Sequence, residues 1–209
     1  MVMMLHKNRK TFDSQDINIR FESTLPLVPS EPDDFILKYN ITATYPLDMK
    51  AKDDKTITIA YASVVLLSPS CCHGNSIAEA CEAYEQDILD VYRIIYDEDE
   101  DLIRPPLDSM YFEEIWYLER FFVDAEFRNR GLGSLIIKWI ENFLCCGHGA
   151  IVVLPRPLSV KNLRDGRYFV DITEKYSPEL KEKLINFYEK QGFTKLRSTS
   201  YMYRVTERK

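Results

Sequence analysis

Long apolar runs are missing from this chain. No stretch approaches the roughly 18 consecutive apolar residues of a membrane-spanning helix, and the opening residues 1–10 turn polar after Leu5, unlike a secretory leader. A basic excess is missing as well. The net charge of −6 at pH 7 leaves no basic face of the kind that nucleic-acid binding requires. Cysteine is scarce, and none of the five copies has Cys-x-x-Cys spacing. An odd count points to reduced thiols. Cys71-Cys72-His73, and Cys145-Cys146 with His148, put cysteines side by side, where two rarely chelate one zinc ion. Repeats and low-complexity segments are also lacking. These absences lead to the expectation of a cytoplasmic protein with no metal, no nucleic-acid partner and no membrane partner.

What is present suits a folded core. The 209 residues are 45% hydrophobic and 12% aromatic, enough to bury a sizeable interior, and a single domain over 1–209 is expected. Residues 17–22 alternate with the period of a half-buried strand. Residues 35–45 and 56–67 are further strand candidates, the last preceded by the turn signal Asp53-Asp54. Together they predict an antiparallel meander. The period then becomes helical. Ser76-Ile77-Ala78-Glu79 reads as a capping box, and apolar residues from Ile77 to Ile95 at helical spacing predict one long helix over 76–96. The acidic run 97–101 stops it, because negative charge is unfavourable at a helix C-terminus.

A strand over 110–123 and a helix over 134–146 follow, with Gly147 as the residue that closes the helix. The short apolar run 151–154 has the composition of a strand covered on both faces, and Pro155 and Pro157 end it. Residues 156–176 form a long connection of the kind that often carries substrate contacts. Ser177 as N-cap, Pro178 at the first helical position and Gly192 at the end mark the last helix, with Leu180, Leu184, Phe187 and Tyr188 as its apolar stripe. Two closing strands are expected over 194–197 and 200–205. The order β-β-β-α-β-α-β-α-β-β defines a mixed α/β (α+β) domain.

Chemistry concentrates at Arg128-Asn129-Arg130-Gly131-Leu132-Gly133-Ser134, between a strand and a helix start. The first N–H groups of a helix lack intrahelical partners, and the helix dipole adds partial positive charge there, so this turn suits an anion. Gly131 and Gly133 remove the Cβ atoms that would keep a phosphate away. Arg128 and Arg130 can add charge-assisted hydrogen bonds. There is no Gly-x-x-x-x-Gly-Lys-Ser/Thr and no Gly-x-Gly-x-x-Gly after the strand, which argues against a P-loop and a dinucleotide fingerprint. On the strand, Glu119 alternates with Tyr117, Phe121 and Val123. A carboxylate among aromatics is a candidate base, directly or through water; it is equally a candidate for holding a cationic substrate or for pairing with Arg120 or another cation.

The run Leu118-Glu119-Arg120-Phe121-Phe122-Val123, continued by Phe127 and the heptapeptide, resembles the acetyl-CoA motif of the GNAT superfamily of N-acetyltransferases, Arg/Gln-x-x-Gly-x-Gly/Ala. Phe187-Tyr188-Glu189-Lys190-Gln191-Gly192-Phe193 is similar to the tyrosine segment of that superfamily. The resemblance implies a mostly antiparallel central sheet flanked by helices, with an acetyl-CoA-binding core over 110–205 and a divergent part over 1–109. It implies acetyl-CoA as donor: main-chain N–H groups of Asn129, Arg130, Gly131, Leu132, Gly133 and Ser134 on the pyrophosphate, and backbone at Phe122 and Val123 on the pantetheine arm. The strand is expected to splay from the next one to admit the thioester.

Tyr188 is implied as the acid that protonates the leaving thiolate, and Glu119 as the base. A phenol of pKa about 10 can supply a proton to a thiolate of pKa about 8.5. Three departures stand out. Relatives with a strand glutamate commonly have it where Tyr117 stands. Lys181 occupies the place of an asparagine that contacts the cofactor. The usual opening, a strand followed by two helices that shape the acceptor site, is not visible before Thr56. The implied reaction is direct transfer of acetyl from acetyl-CoA to a primary amine of a small molecule or protein. A non-catalytic acyl-CoA-binding regulatory domain, or an acyltransferase acting on a protein or an aminoacyl-tRNA, is the alternative. A C-terminal edge strand could pair two subunits as a homodimer.

Overall fold

Alternating runs in the first third of the chain pair as their period requires. In the computed structural model, which describes residues 16–23, 31–46, 56–72, 76–97, 102–108, 114–162, 168–172 and 177–206, β1 (Asn18–Ser23), β2 (Leu37–Pro46) and β3 (Thr56–Leu67) form the antiparallel meander. β2 starts later than expected because a 3-10 turn takes Pro32–Phe35. β4 (Ile115–Val123) continues the meander antiparallel to β3; its expected beginning at 110–113 lies outside the described residues.

The direction of pairing then changes. β5 (Ala150–Val153) lies parallel to β4, and α3 (Leu132–Trp139) provides the crossover between them, as a parallel pair requires. β9 (Met202–Val205) and β8 (Thr194–Lys195) complete a seven-stranded sheet in the order β1-β2-β3-β4-β5-β9-β8. The connection over 156–176 contains a hairpin, β6 (Leu158–Asn162) with β7 (Tyr168–Ile172), that the sequence did not reveal.

The long helix expected over 76–96 is two helices. Ser76 caps the first by accepting from the Ala78 N–H at 3.1 Å. α1 spans Ile77–Tyr84 and α2 spans Gln86–Ile95, separated by Glu85 in an extended conformation. The carbonyl of Glu85 accepts from Ile88 and Leu89, so this residue starts the second helix. No glycine or proline marks the break. Its cause is tertiary: Ile77, Ala80 and Cys81 of α1, and Ile88, Val91, Tyr92 and Ile95 of α2, must all reach one cluster beneath Val65, Leu67, Ile115 and Tyr117. Thus a strand followed by two helices does exist here, but the strand is the third one.

The other face of the sheet is covered by α3 and α4 (Pro178–Lys190), which bury Leu132, Ile136 and Tyr188 against Ile59, Trp116, Leu118 and Ile151. α3 begins two residues earlier than expected, at Leu132, and its continuation Ile140–Leu144 is a π turn. Ser177 caps α4 by accepting from the Leu180 N–H at 3.3 Å. Leu180, expected in the apolar stripe, is exposed.

β4 carries a bulge. Ser63 pairs with Arg120 and Val64 with Leu118, so Glu119 is left without a partner in the register. One extra residue moves the following side chains to the opposite face. Ile115 and Tyr117 therefore join the α1–α2 cluster, whereas Phe121 and Val123 pack on the α3–α4 cluster. The simple alternation that put Tyr117, Glu119, Phe121 and Val123 on one face does not hold.

Gly149 fixes the entry into β5. Its φ is +79°, and a Cβ there would lie 1.9 Å from the Glu114 carbonyl oxygen. Gly149→Ala is expected to destabilise the protein by about 3 kcal/mol or more, combining left-handed strain with overpacking. Gly131→Ala, also left-handed but with nothing within 4 Å of its Cβ, should cost about 1–2 kcal/mol. Urea denaturation of the two variants checks the difference.

Candidate active site

The sheet opens between β4 and β5. Their pairing covers only Ile115–Leu118 against Ala150–Val153, while β4 runs on to Val123 alongside β3 alone. Two local features part the strands. The bulge at Glu119 bends β4, and Pro155 has no N–H with which to extend the β5 ladder. The Asp124 N–H donates to Ile59 of β3 at 2.8 Å. Because backbone groups alternate between strand edges, Phe122 also faces β3, and Phe121 and Val123 face the gap. Of the two strand residues expected on a pantetheine arm, Val123 faces the gap, Phe122 faces β3, and Phe121 joins Val123.

At the end of β4 the chain turns through 125–127. The Asp124 carboxylate accepts from the Glu126 N–H at 2.9 Å. Asn129 (φ 58°) and Gly131 (φ 83°) are left-handed. Gly131 is the N-cap of α3 and provides no side-chain hydrogen bond. The N–H groups of Leu132, Gly133 and Ser134 in the first turn thus have no helical or capping acceptor, and the space above Gly131 is open. These features fit an anionic group. Gly133 has a different duty: a Cβ there would lie 3.0 Å from the Phe187 ring, so this glycine serves the packing of α3 on α4.

Arg128 and Arg130 are exposed. The Arg128 Nε donates to the Val123 carbonyl at 2.8 Å, and its guanidinium lies 5.6 Å from the Phe122 ring centroid. It braces the turn as well as lending charge. The Arg130 guanidinium lies 5.7 Å from the Phe127 ring.

Tyr188 of α4 lines the inner cleft at the gap, with Leu118, Phe121, Val153 and Leu184. Its side chain packs edge-on against Phe187 and Phe193 at centroid distances of 5.2 and 5.4 Å. Burial pushes its phenol well above the ordinary tyrosine value, so it remains protonated at neutral pH. Glu119 lines the same cleft but is heavily engaged. Its carboxylate lies 2.7 Å from Lys38 Nζ and 3.2 Å from Arg120 and accepts from Ser63 Oγ at 2.8 Å, with 4% of the side chain exposed. Burial lowers the Lys38 ammonium, but the hydrogen bond and attraction to Glu119 outweigh this and leave it raised. Of the alternatives open to Glu119, pairing with cations is what the geometry shows.

The structure adds Asp87 and Arg156, 3.6 Å apart, to the inner cleft. Arg156 had a signal in the sequence, since it follows the carboxyl end of a strand where ligands gather in α/β sheets. Asp87 had none, because its helix could not be placed beforehand. Leu154 and Arg156 also line an outer cleft of about 520 Å³, with Arg93 and Lys181. Lys181, at the expected asparagine position, thus sits at this outer cleft.

Among the described residues no group of His, Cys, Asp and Glu is arranged to hold a metal ion, and none of the helices is long and apolar enough to cross a membrane. Residues 82–195 match a family model described as an acetyltransferase (GNAT) domain, more than half of the chain. No curated protein matches. A solved structure described as AtaTR bound with AcCoA aligns over 91% of this chain and 94% of its own at 12% identity, with a TM-score of 0.40.

Lys38→Met is expected to cost about 3 kcal/mol by leaving a buried carboxylate short of a partner, and adding Glu119→Gln should recover much of it; a double-mutant cycle by denaturation measures the coupling. A second expectation concerns pH. Burial pushes Tyr201 up to about 12, against a smaller lowering by Arg156, and raises Tyr117 and Tyr188 further. Unfolded tyrosines ionise near pH 10, so above that the unfolded state binds fewer protons than the native one. Burial raises the Cys145 thiol too, and an unfolded thiol ionises near pH 8.5, so stability should begin to fall above about pH 8 and fall more steeply between about pH 10 and 12, read as the urea midpoint against pH.

Proposed function

Since the chain belongs to the GNAT acetyltransferases, we propose that it transfers an acetyl group from acetyl-CoA directly to a primary amine held with it in one ternary complex. One observation supports this best: the uncapped N-terminus of α3 and the open edge of β4 lead into a gap lined by the buried Tyr188. In this reading the N–H groups of Leu132, Gly133 and Ser134 hold the pyrophosphate, with Asn129, Arg130 and Gly131 shaping the turn around it. Backbone at Phe121 and Val123 aligns the pantetheine arm as an added strand would be aligned. Acetyl-CoA supplies the activated thioester.

The amine nitrogen forms a bond to the acetyl carbon, the carbon–sulfur bond breaks, and the Tyr188 hydroxyl gives its proton to the departing sulfur. The acceptor nitrogen loses a proton in the same turnover, and that proton returns through water to the Tyr188 phenolate, which restores the acid. Holding both substrates in one gap supplies the proximity that a bimolecular reaction in water lacks. The low polarity around Tyr188 keeps its proton in place at neutral pH, and the same surroundings raise the proton affinity of a thiolate that develops beside it. Glu119 acts in this reading as a positioning residue. Its ion pairs tie β2 and β4 together at the bulge that opens the gap.

Tyr188→Phe should lower kcat by about 100-fold or more and leave CoA affinity, measured by calorimetry, little changed. Equal losses of turnover and affinity would assign Tyr188 to packing and favour a binding domain without catalysis.

A further inference from the structure

The outer cleft lies on the other face of the sheet from the α3 N-terminus. Asp90 and Arg93 come from α2, and Tyr201 belongs to the α1–α2 cluster, whereas Leu132 belongs to the α3–α4 cluster. The outer and inner clefts share Leu154 and Arg156, so the two adjoin at the end of β5. The charge in the outer cleft is unlike that of the whole chain. Among the described residues that line it, Arg93, Arg156 and Lys181 stand with the carboxylate of Asp90, in a protein of net charge −6. Asp90 itself accepts from Gln86 Nε2 at 2.8 Å. Asp87, 3.6 Å from Arg156, lines the inner cleft and not the outer one.

One face of α4 spans both clefts. Lys181, Leu184 and Tyr188 are spaced three and four residues apart and so lie on one side of the helix. Lys181 lines the outer cleft, and Leu184 and Tyr188 the inner one. Seven residues of helix separate the two ends, about 10 Å along the axis, and the lysine side chain shortens the span that a ligand must cover.

We propose that the outer cleft binds the acceptor, and that the acceptor is a small amine carrying a carboxylate or phosphate group. The anionic group sits among Arg93, Arg156 and Lys181, and the amine points inward toward Tyr188. This inference rests on the acetyltransferase reading for the identity of the reaction. The charge arrangement alone carries the choice of anionic ligand, and a cavity of this size suits a small molecule.

Calorimetry on the full chain, with and without saturating CoA, tests it with matched probes: phosphoethanolamine against ethanolamine, and 4-aminobutyrate against its amide. At least one probe with an anionic group should bind about tenfold or more tightly than its counterpart without one, the scale of one charge-assisted hydrogen bond. Which of the two does so separates phosphate from carboxylate. Arg93→Glu with Lys181→Glu should abolish the preference while the Kd for CoA stays unchanged, and Arg93→Gln with Lys181→Gln should reduce it. Circular dichroism confirms that the variants fold. Equal binding of the probes that lack an anionic group would overturn the proposal. So would an equal loss of CoA affinity in the charge-reversed protein, which would assign the cleft to a phosphate of the donor. If the wild-type protein failed to bind CoA but still selected the anionic probes, the acetyltransferase reading would fall and the anion site would stand.

Discussion

The parting of β4 from β5 is the constraint on which the rest of the site depends. Two parallel strands would ordinarily continue their ladder as long as both run on. Here the ladder stops after four residue pairs because β4 bulges at Glu119 and β5 meets Pro155. The same bulge moves the side chains after it to the other face, so β4 contributes Tyr117 to one core and Phe121 to the other.

Keeping such a gap open requires support, because an unpaired strand edge is costly to leave dry. The support is ionic. Glu119 lies at the bulge with Lys38 from β2, Ser63 from β3 and its neighbour Arg120 around it. Buried ion pairs contribute little net stability over a well-packed apolar core. What this one contributes is position: three strands are tied to one carboxylate at the place where β4 bends. Arg128 performs a similar task at the far end of the strand by returning to the Val123 carbonyl, and Gly133 lets α3 approach Phe187 of α4.

Much of the fold was legible in the sequence. The alternating runs became β1, β2 and β3, and the capping residues Ser76 and Ser177 act at the helix starts where they were expected. The open helix start after Gly131 was recognisable because the glycines and the helix start are adjacent in the chain. The break at Glu85 was not legible, since neither glycine nor proline announces it. The bulge at Glu119 was hidden for a similar reason. A strand pattern is read by alternation, and one extra residue in the register is invisible until the partner strand is known. Gly133 looked like a second phosphate-facing glycine, but the helix that crowds it lies about fifty residues further along the chain.

Sequence by itself determined the local features: a glycine turn at an open helix start, a tyrosine on the apolar stripe of the last helix, and a family to which both motifs conform. Such features depend on neighbours a few residues away, so they survive without tertiary knowledge. Only the tertiary structure decided how they combine. It brought Tyr188 to the gap between β4 and β5, surrounded Glu119 with cations, and gathered Arg93, Arg156 and Lys181 from three separate elements around one cleft. Those relations depend on which strand ends where, and on contacts between residues far apart in the chain that no local pattern encodes.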